Sequence, residues 1–186
     1  PRYQAPGRSS RANAPDAPAG IGSAYLHDSV REGDVVRVLP PRGRFHLDDS
    51  DRPVVLLSGG VGVTPRVAML SELARATPRR PVWFIHACPD ASHRALSDDV
   101  RSFADIHGLA RILCVDESAT DGGTSDVIGR VDMELLRQVL PFDDYSFFLC
   151  GPPGFMEALY SGLTGLNIAP DRIDYEHIGP ATVLEP

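Results

Sequence analysis

The strongest constraint on the fold of this chain is an alternation that begins at Arg52. Short, continuous apolar runs take turns with helix-period segments. The first run is Pro53 to Leu57 (PVVLL), followed by Val82 to Ala87 (VWFIHA), Arg111 to Val115 (RILCV) and Tyr145 to Cys150 (YSFFLC), with a short last one from Arg172 to Tyr175. Unbroken apolar runs of this length suit strands covered on both faces, as in parallel sheets. Between them, Thr64 to Ala76 places Val67, Leu70, Leu73 and Ala74 on one side of a helix. Ser92 to His107, Asp132 to Leu140 (capped by Asp132) and Gly154 to Leu166 also read as helices. The polar stretch Asp116 to Gly129 reads as a loop. Strand–helix alternation implies an α/β fold, here a five-stranded parallel sheet with helices on both faces.

The chain before Arg52 is different. Residues 1–20 contain Pro, Ala, Gly, Ser and Arg but no Leu, Ile, Val or Phe. Such a segment cannot bury enough apolar surface to offset its ordering entropy and is expected to be irregular. Ser23 is placed to cap a short helix running through Val30, with a turn at Glu32-Gly33-Asp34 and a strand from Asp34 to Leu39. Phe45 to Leu47 is a further short strand candidate, and Asp48-Asp49-Ser50-Asp51 reads as a solvated interdomain linker. This organisation gives three segments: an irregular 1–20, a small unit over 21–50 and an α/β domain over 51–186.

The chain has 186 residues and a formal net charge of −7, enough for one domain and part of another. That acidity argues against nucleic acid as the main partner. No apolar run is long enough to span a membrane, and the first residues lack the apolar core of a signal peptide. The three cysteines, Cys88, Cys114 and Cys150, are widely spaced and lack metal-site spacing. Together these features point to a cytoplasmic protein with reduced thiols and no metal.

In a parallel sheet, ligands bind beyond the carboxyl ends of the strands, where strand order reverses. Two strand ends carry suitable residues. After the first strand comes Ser58-Gly59-Gly60-Val61-Gly62-Val63-Thr64-Pro65. Its glycines let a backbone approach a phosphate or a flat ring, Thr64 is placed to cap the helix, and Pro65 suits the first helical position. A P-loop is excluded, since the chain has no Lys, and the pattern is not G-x-G-x-x-G. After the fourth strand comes Cys150-Gly151-Pro152-Pro153-Gly154-Phe155-Met156, where a thiol beside a rigid turn is placed to contact a ligand. His86 ends a strand as a core or ligand-lining group. Beyond it, Asp90 and Arg94 follow the end of the second strand. His27, His93 and His107 read as surface residues, and Met69 and Met156 as core.

Several motifs stand in one order: Tyr25-Leu26-His27-Asp28, Gly33-Asp34, Pro41-Arg42-Gly43-Arg44-Phe45, SGGVGVTP, LCGPPGFM, and Tyr175-Glu176-His177-Ile178-Gly179-Pro180. In this the chain resembles the ferredoxin–NADP reductase superfamily, above all the reductase modules of flavohaemoglobins and oxygenase reductases. The resemblance implies an antiparallel flavin barrel, of which residues 21–50 are a remnant, joined to a nucleotide domain. It implies hydride transfer from NADH or NADPH to FAD, then electron transfer to an acceptor such as a haem, an iron–sulfur protein or an oxygenase component.

The resemblance also implies a set of site residues. The nicotinamide nucleotide lies on Gly59, Gly60, Val61, Gly62, Val63, Thr64 and Pro65, on His86, Asp90 and Arg94, and on Cys150, Gly151, Pro152, Pro153, Phe155 and Met156. Thr64, Cys150 and Glu176 surround the hydride-transfer position. Asp90 is placed to accept from a ribose diol and Arg94 instead to meet a 2′-phosphate, with solvated loop positions as the other reading; the choice leans towards NADH. Gly20, Gly22 and Ser23 hold the FAD pyrophosphate, while Glu176 and Ile178 lie near its ring system. The family's Arg-x-Tyr-Ser flavin segment has no match; Arg2-Tyr3-Gln4 is a poor stand-in. A partial barrel exposes apolar surface and strand edges, so association with itself or with a flavin-domain partner is expected. The alternative reading is a subunit or fragment that binds NAD(P) without tightly held flavin. An ordinary NAD-dependent dehydrogenase is disfavoured, for want of G-x-G-x-x-G and of a Tyr-x-x-x-Lys pair.

Overall fold

A computed structural model describes residues 21–40, 42–119, 125–178 and 184, and the backbone alone of Ile21 and Ser23. The chain divides into two units, residues 1–44 and 45–186.

Among the described residues of the first unit, one helix forms, α1 (Ile21–Asp28). Ser23 therefore lies inside the helix rather than at its cap. The turn at Gly33 forms, with φ +96° and the Asp34 carboxylate accepting from the Arg31 N–H at 2.8 Å. The expected strand from Asp34 to Leu39 does not form, nor does one at Phe45 to Leu47. Val35 and Val38 are 94% and 84% exposed. A strand needs a neighbour to fill its ladder, and β-propensity alone does not supply one.

The second unit is a sheet of β1 (Val54–Gly59), β2 (Val82–Cys88), β3 (Ala110–Asp116), β4 (Val127–Ile128), β5 (Ser146–Gly151) and β6 (Ile173–His177). The order is β4-β3-β2-β1-β5-β6, and every pairing is parallel. The sheet thus has six strands rather than five. The extra one, β4, has two residues inside the stretch expected to be a loop. Beside it lies Asp126, whose carboxylate accepts from the Cys114 N–H at 2.7 Å.

Helices α2 (Val63–Arg75) and α3 (Ser97–His107) cover one face; α4 (Met133–Val139) and α5 (Pro153–Gly165) cover the other. Alternation along the strands sorts the core. Val54, Leu56, Phe84 and Phe148 pack against Val67, Leu70, Leu73 and Val100. On the opposite side, Val55, Leu57, Ile85, Phe147 and Leu149 pack against Leu135, Leu136, Met156, Leu159 and Leu163. Both faces are covered, which explains the unbroken apolar runs. Asp132 caps α4 as expected, accepting from the Leu135 N–H at 2.9 Å.

The helix expected from Ser92 to His107 is broken. A short 3-10 turn (Ala91–His93) comes first, and Leu96 takes a left-handed conformation, φ 59°, before α3 begins. Left-handed backbone cannot continue a right-handed helix. At the amino end of the sheet, Asp48 is a half-buried hub rather than a solvated linker residue. It accepts from Ser146 Oγ at 2.5 Å and Ser50 Oγ at 2.9 Å, and pairs with Arg80 at 2.8 Å. Burial raises its pKa, but these donors and the Arg80 charge outweigh that and leave it lowered.

Candidate functional site

Strand order reverses between β1 and β5, and both glycine-rich turns leave the sheet there. They are built against each other. A Cβ on Gly62 would overlap the Cys150 carbonyl oxygen and come within 2.9 Å of the Gly151 nitrogen. One on Gly59 would sit 2.9 Å from Pro152 Cδ, and one on Gly151 would sit 2.8 Å from the Phe155 ring. These three glycines are therefore required by turn-to-turn packing. Gly60 differs: its φ is +52° and a Cβ there would meet nothing within 4 Å. Of the two turns' glycines, Gly60 and Gly154 face open space, and Gly60 alone combines that with a positive φ.

The helix that follows carries no side-chain cap. Its N-cap is Gly62, not Thr64. Thr64 lies within the first turn, exposed, and donates to the Val61 carbonyl at 3.2 Å. Pro65 is the third helical residue rather than the first. An uncapped helix start beside an open Gly60 is suited to an anion.

Of the expected nucleotide contacts, Val61, Thr64, Pro152 and Pro153 are exposed, and Pro65 and Phe155 are half-buried. Val63 and Met156 are buried in opposite cores, so their side chains support the turns and do not meet a ligand. The Cys150 thiol is wholly buried. Burial pushes its pKa up, with Arg66 pulling the other way and Glu176 adding to the rise. It is a neutral thiol beneath the site, not one presented to a ligand. Glu176 and Ile178 are exposed at the end of β6 and beyond it.

His86 is also buried. Ser58 Oγ lies 2.8 Å from its Nδ1 and Cys88 Sγ 2.9 Å from its Nε2. Burial lowers its pKa to about 4, so the ring is neutral at physiological pH. Burial likewise lifts the Cys88 thiol to about 12. His86 also lines a cavity of about 240 Å³ under α3, with Phe84, Arg94, Val100, Ile112 and Cys114.

Past β2, Asp90 forms a turn of its own, accepting from the Ser92 N–H at 2.8 Å, Ser92 Oγ at 2.6 Å and His93 Nδ1 at 2.9 Å. These bonds, Ser92's first, lower its pKa to about 2. Arg94 makes a bidentate pair with the fully buried Asp116, Nε at 3.1 Å and Nη2 at 2.5 Å, and Nη2 also reaches Ser125 Oγ at 2.9 Å. His27 is exposed, but His93 is half-buried and His107 is wholly buried at the end of α3. The His107 Nδ1 accepts the Leu109 N–H at 3.1 Å. Met69 and Met156 are core, as expected. Gly20 lies outside the described residues; Gly22 and Ser23 lie in α1.

One residue at this end of the sheet went unnoticed in the sequence. Arg66, on α2, is wholly buried. Its Nε donates to the Leu57 carbonyl at 3.2 Å, and its guanidinium carbon lies 4.5 Å from the centre of the Phe45 ring. Nη2 is buried with no hydrogen-bond partner. Burial lowers its pKa to about 9, against the upward pull of Cys150, Glu176 and Asp174, so it remains charged at neutral pH. A signal was present: Arg66 shares a helical stripe with Leu70 and Leu73, at spacings of four and seven.

A family profile for the oxidoreductase NAD-binding domain matches residues 56–160, from inside β1 into α5. The chain belongs to that family. A flavohemoprotein of Oceanobacillus iheyensis is 40% identical over 179 residues, 96% of this chain and 43% of its own. The chain thus spans less than half the length of that relative. The flavohem-like FAD/NAD-binding domain of nitric oxide dioxygenase from Vibrio cholerae O1 is a structural neighbour at 35% identity and TM-score 0.72, with 87% of this chain and 65% of that one covered. A cytochrome P450 reductase of Amycolatopsis matches at 27% identity and TM-score 0.71, covering 89% and 51%. These likenesses bear out the ferredoxin reductase-like fold. Among the described residues, no helix is long and apolar enough to cross a membrane, and no His, Cys, Asp and Glu group could hold a metal ion.

Proposed function

We propose that this chain is the nucleotide-binding part of an NADH-dependent flavin oxidoreductase, receiving the dinucleotide across the carboxyl ends of β1, β5 and β2. The observation that carries this is the pairing of two interlocked glycine turns with an uncapped helix start and the open Gly60. The pyrophosphate lies over Gly60 and the first turn of α2, where N–H groups and the helix dipole favour negative charge. Thr64 and Pro152, both exposed, border the nicotinamide. Cys150 shapes the floor from below.

The ribose end rests near Asp90. A 2′-phosphate there would face the Asp90 carboxylate, while Arg94 is held by Asp116 and Ser125. That balance favours NADH over NADPH. Bound flavin would supply the acceptor for the hydride. The exposed Glu176 and Ile178 suit a flat ring laid against the end of β6. Part of the flavin's surroundings falls to a flavin-domain partner or to self-association. Relatives named flavohemoproteins favour a haem as the eventual acceptor, and the Amycolatopsis neighbour makes an oxygenase component the second choice.

The test is an anaerobic visible spectrum of the chain mixed with FAD, before and after NADH. A protein-bound flavin band that bleaches faster than free FAD supports the oxidoreductase. A chain that binds NADH and takes up no flavin supports the second reading, a nucleotide-binding subunit.

A further inference from the structure

The buried guanidinium of Arg66 occupies a helical stripe position that the fold otherwise fills with apolar side chains. Its stripe neighbours are leucines, and it spans the gap between the Leu57 carbonyl and the Phe45 ring. Burying a charge costs more than burying a methylene chain, and leaving Nη2 without a partner adds to that cost. The charge is close enough to Cys150, Glu176 and Asp174 for each to act on it. Register fixes its place: Cys150 pairs with Ser58 of β1 and Glu176 of β6, while Arg66 stands on α2 two residues past Thr64 with its Nε on the Leu57 carbonyl, one residue before Ser58, so the charge lies beneath the carboxyl ends of β1, β5 and β6, the edge where the nicotinamide is placed above.

We propose that Arg66 is a specificity-determining residue that makes the site prefer the neutral dihydronicotinamide of NADH over the positively charged pyridinium ring of NAD⁺. The inference rests on the nucleotide reading just given. Which charge dominates the ring's surroundings follows from burial. Glu176 is exposed, and water screens its carboxylate. Asp174 has its pKa raised, first by burial and then by Asp48, which weakens it as a counter-charge. Arg66 is shielded from water on every side, so its field reaches the ring least attenuated. The cation repels the oxidised ring, and product release after hydride transfer is thereby favoured. The pyrophosphate and adenosine lie over Gly60 and beyond β2, and gain nothing from this charge that differs between the two redox forms.

The experiment is calorimetric titration of the whole chain with NADH, NAD⁺ and ADP-ribose, for the wild type and for Arg66→Met, Arg66→Gln and Arg66→Lys. Circular dichroism of each variant verifies that the fold is retained. The wild type is expected to bind NADH more tightly than NAD⁺. Arg66→Met and Arg66→Gln are expected to narrow that ratio by about fivefold or more. Arg66→Lys should keep it, and ADP-ribose affinity should be the same in all four proteins. An unchanged NADH-to-NAD⁺ ratio in both neutral variants would overturn the proposal, and so would an equal loss for all three ligands, which marks a structural role. If the wild type binds none of the three, the nucleotide reading fails and takes this inference with it; binding with an unaltered ratio sinks the inference alone.

Discussion

The two halves of the sheet's carboxyl edge are held in opposite ways. At β1 and β5 the contact is steric: Gly62 against the Cys150 backbone, Gly59 and Gly151 against the Pro152 and Phe155 side chains. At β2 and β3 it is made by charged side chains, with Arg94 bridging Asp116 and Ser125 and Asp90 closing its own turn. The first arrangement tolerates no added atom but needs no particular charge. The second tolerates small steric change but depends on ionisation. A dinucleotide needs both: a close, rigid seat for its pyrophosphate, and polar groups that can read a ribose.

If that contrast is right, the largest effect comes from a single methyl group. Gly62→Ala must push apart the two turns and should destabilise the protein by more than about 3 kcal/mol, measured by urea unfolding, with NADH affinity lost as well. A variant of wild-type stability would show that the turns do not interlock. On the polar side, Asp116→Ala leaves Arg94 beside an empty, buried site and should cost about 3 kcal/mol. Combining it with Arg94→Ala should cost much less than the two single changes added together. Strict additivity in that cycle would mean that the pair is not a unit.

His86 tests the same half by pH. Its folded pKa is about 4 against an ordinary 6.5, so in this window the unfolded chain binds a proton that the native ring does not. Its stability contribution is therefore complete above about pH 6.5 and is lost as pH falls towards 4. Between pH 6.5 and 5 the loss should be about 2 kcal/mol. His86→Phe should flatten that slope; an unchanged slope would assign the acid sensitivity elsewhere. The smallest effect is expected at Gly60. Alanine there meets no neighbour but must hold φ near +52°, which should cost about 1 kcal/mol. A penalty equal to that of Gly62→Ala would erase the distinction between a packing glycine and a conformational one.

The nucleotide domain was legible because its strands are buried on both faces, which leaves long apolar runs. Its helices were legible because one stripe must face that sheet. Regions governed by pairing rather than burial were not. The run DVVRVL has strand propensity, but among the described residues it pairs with no strand and stays exposed. The two residues of β4 are held in register by contacts at both ends, Asp126 with Cys114 and Gly129 with Asp116. His107 and Asp48 looked like solvated residues; His107 is buried and Asp48 half-buried, both against residues far away in the chain. Met156 and Val63 fell inside the motifs, but motif membership does not say which way a side chain points.

By itself, then, the amino-acid order settled the parallel α/β domain, the two glycine turns at its strand ends and the family to which they belong. Those features depend on local spacing: apolar run length, helical period and glycine position. Only the tertiary structure decided that three of those glycines answer to each other, that Cys150 is covered, that Arg94 is held by Asp116, and that Arg66 carries a buried charge beneath the site. Each of those depends on which residues distant in sequence become neighbours, and burial and charge pairing exist only once they do.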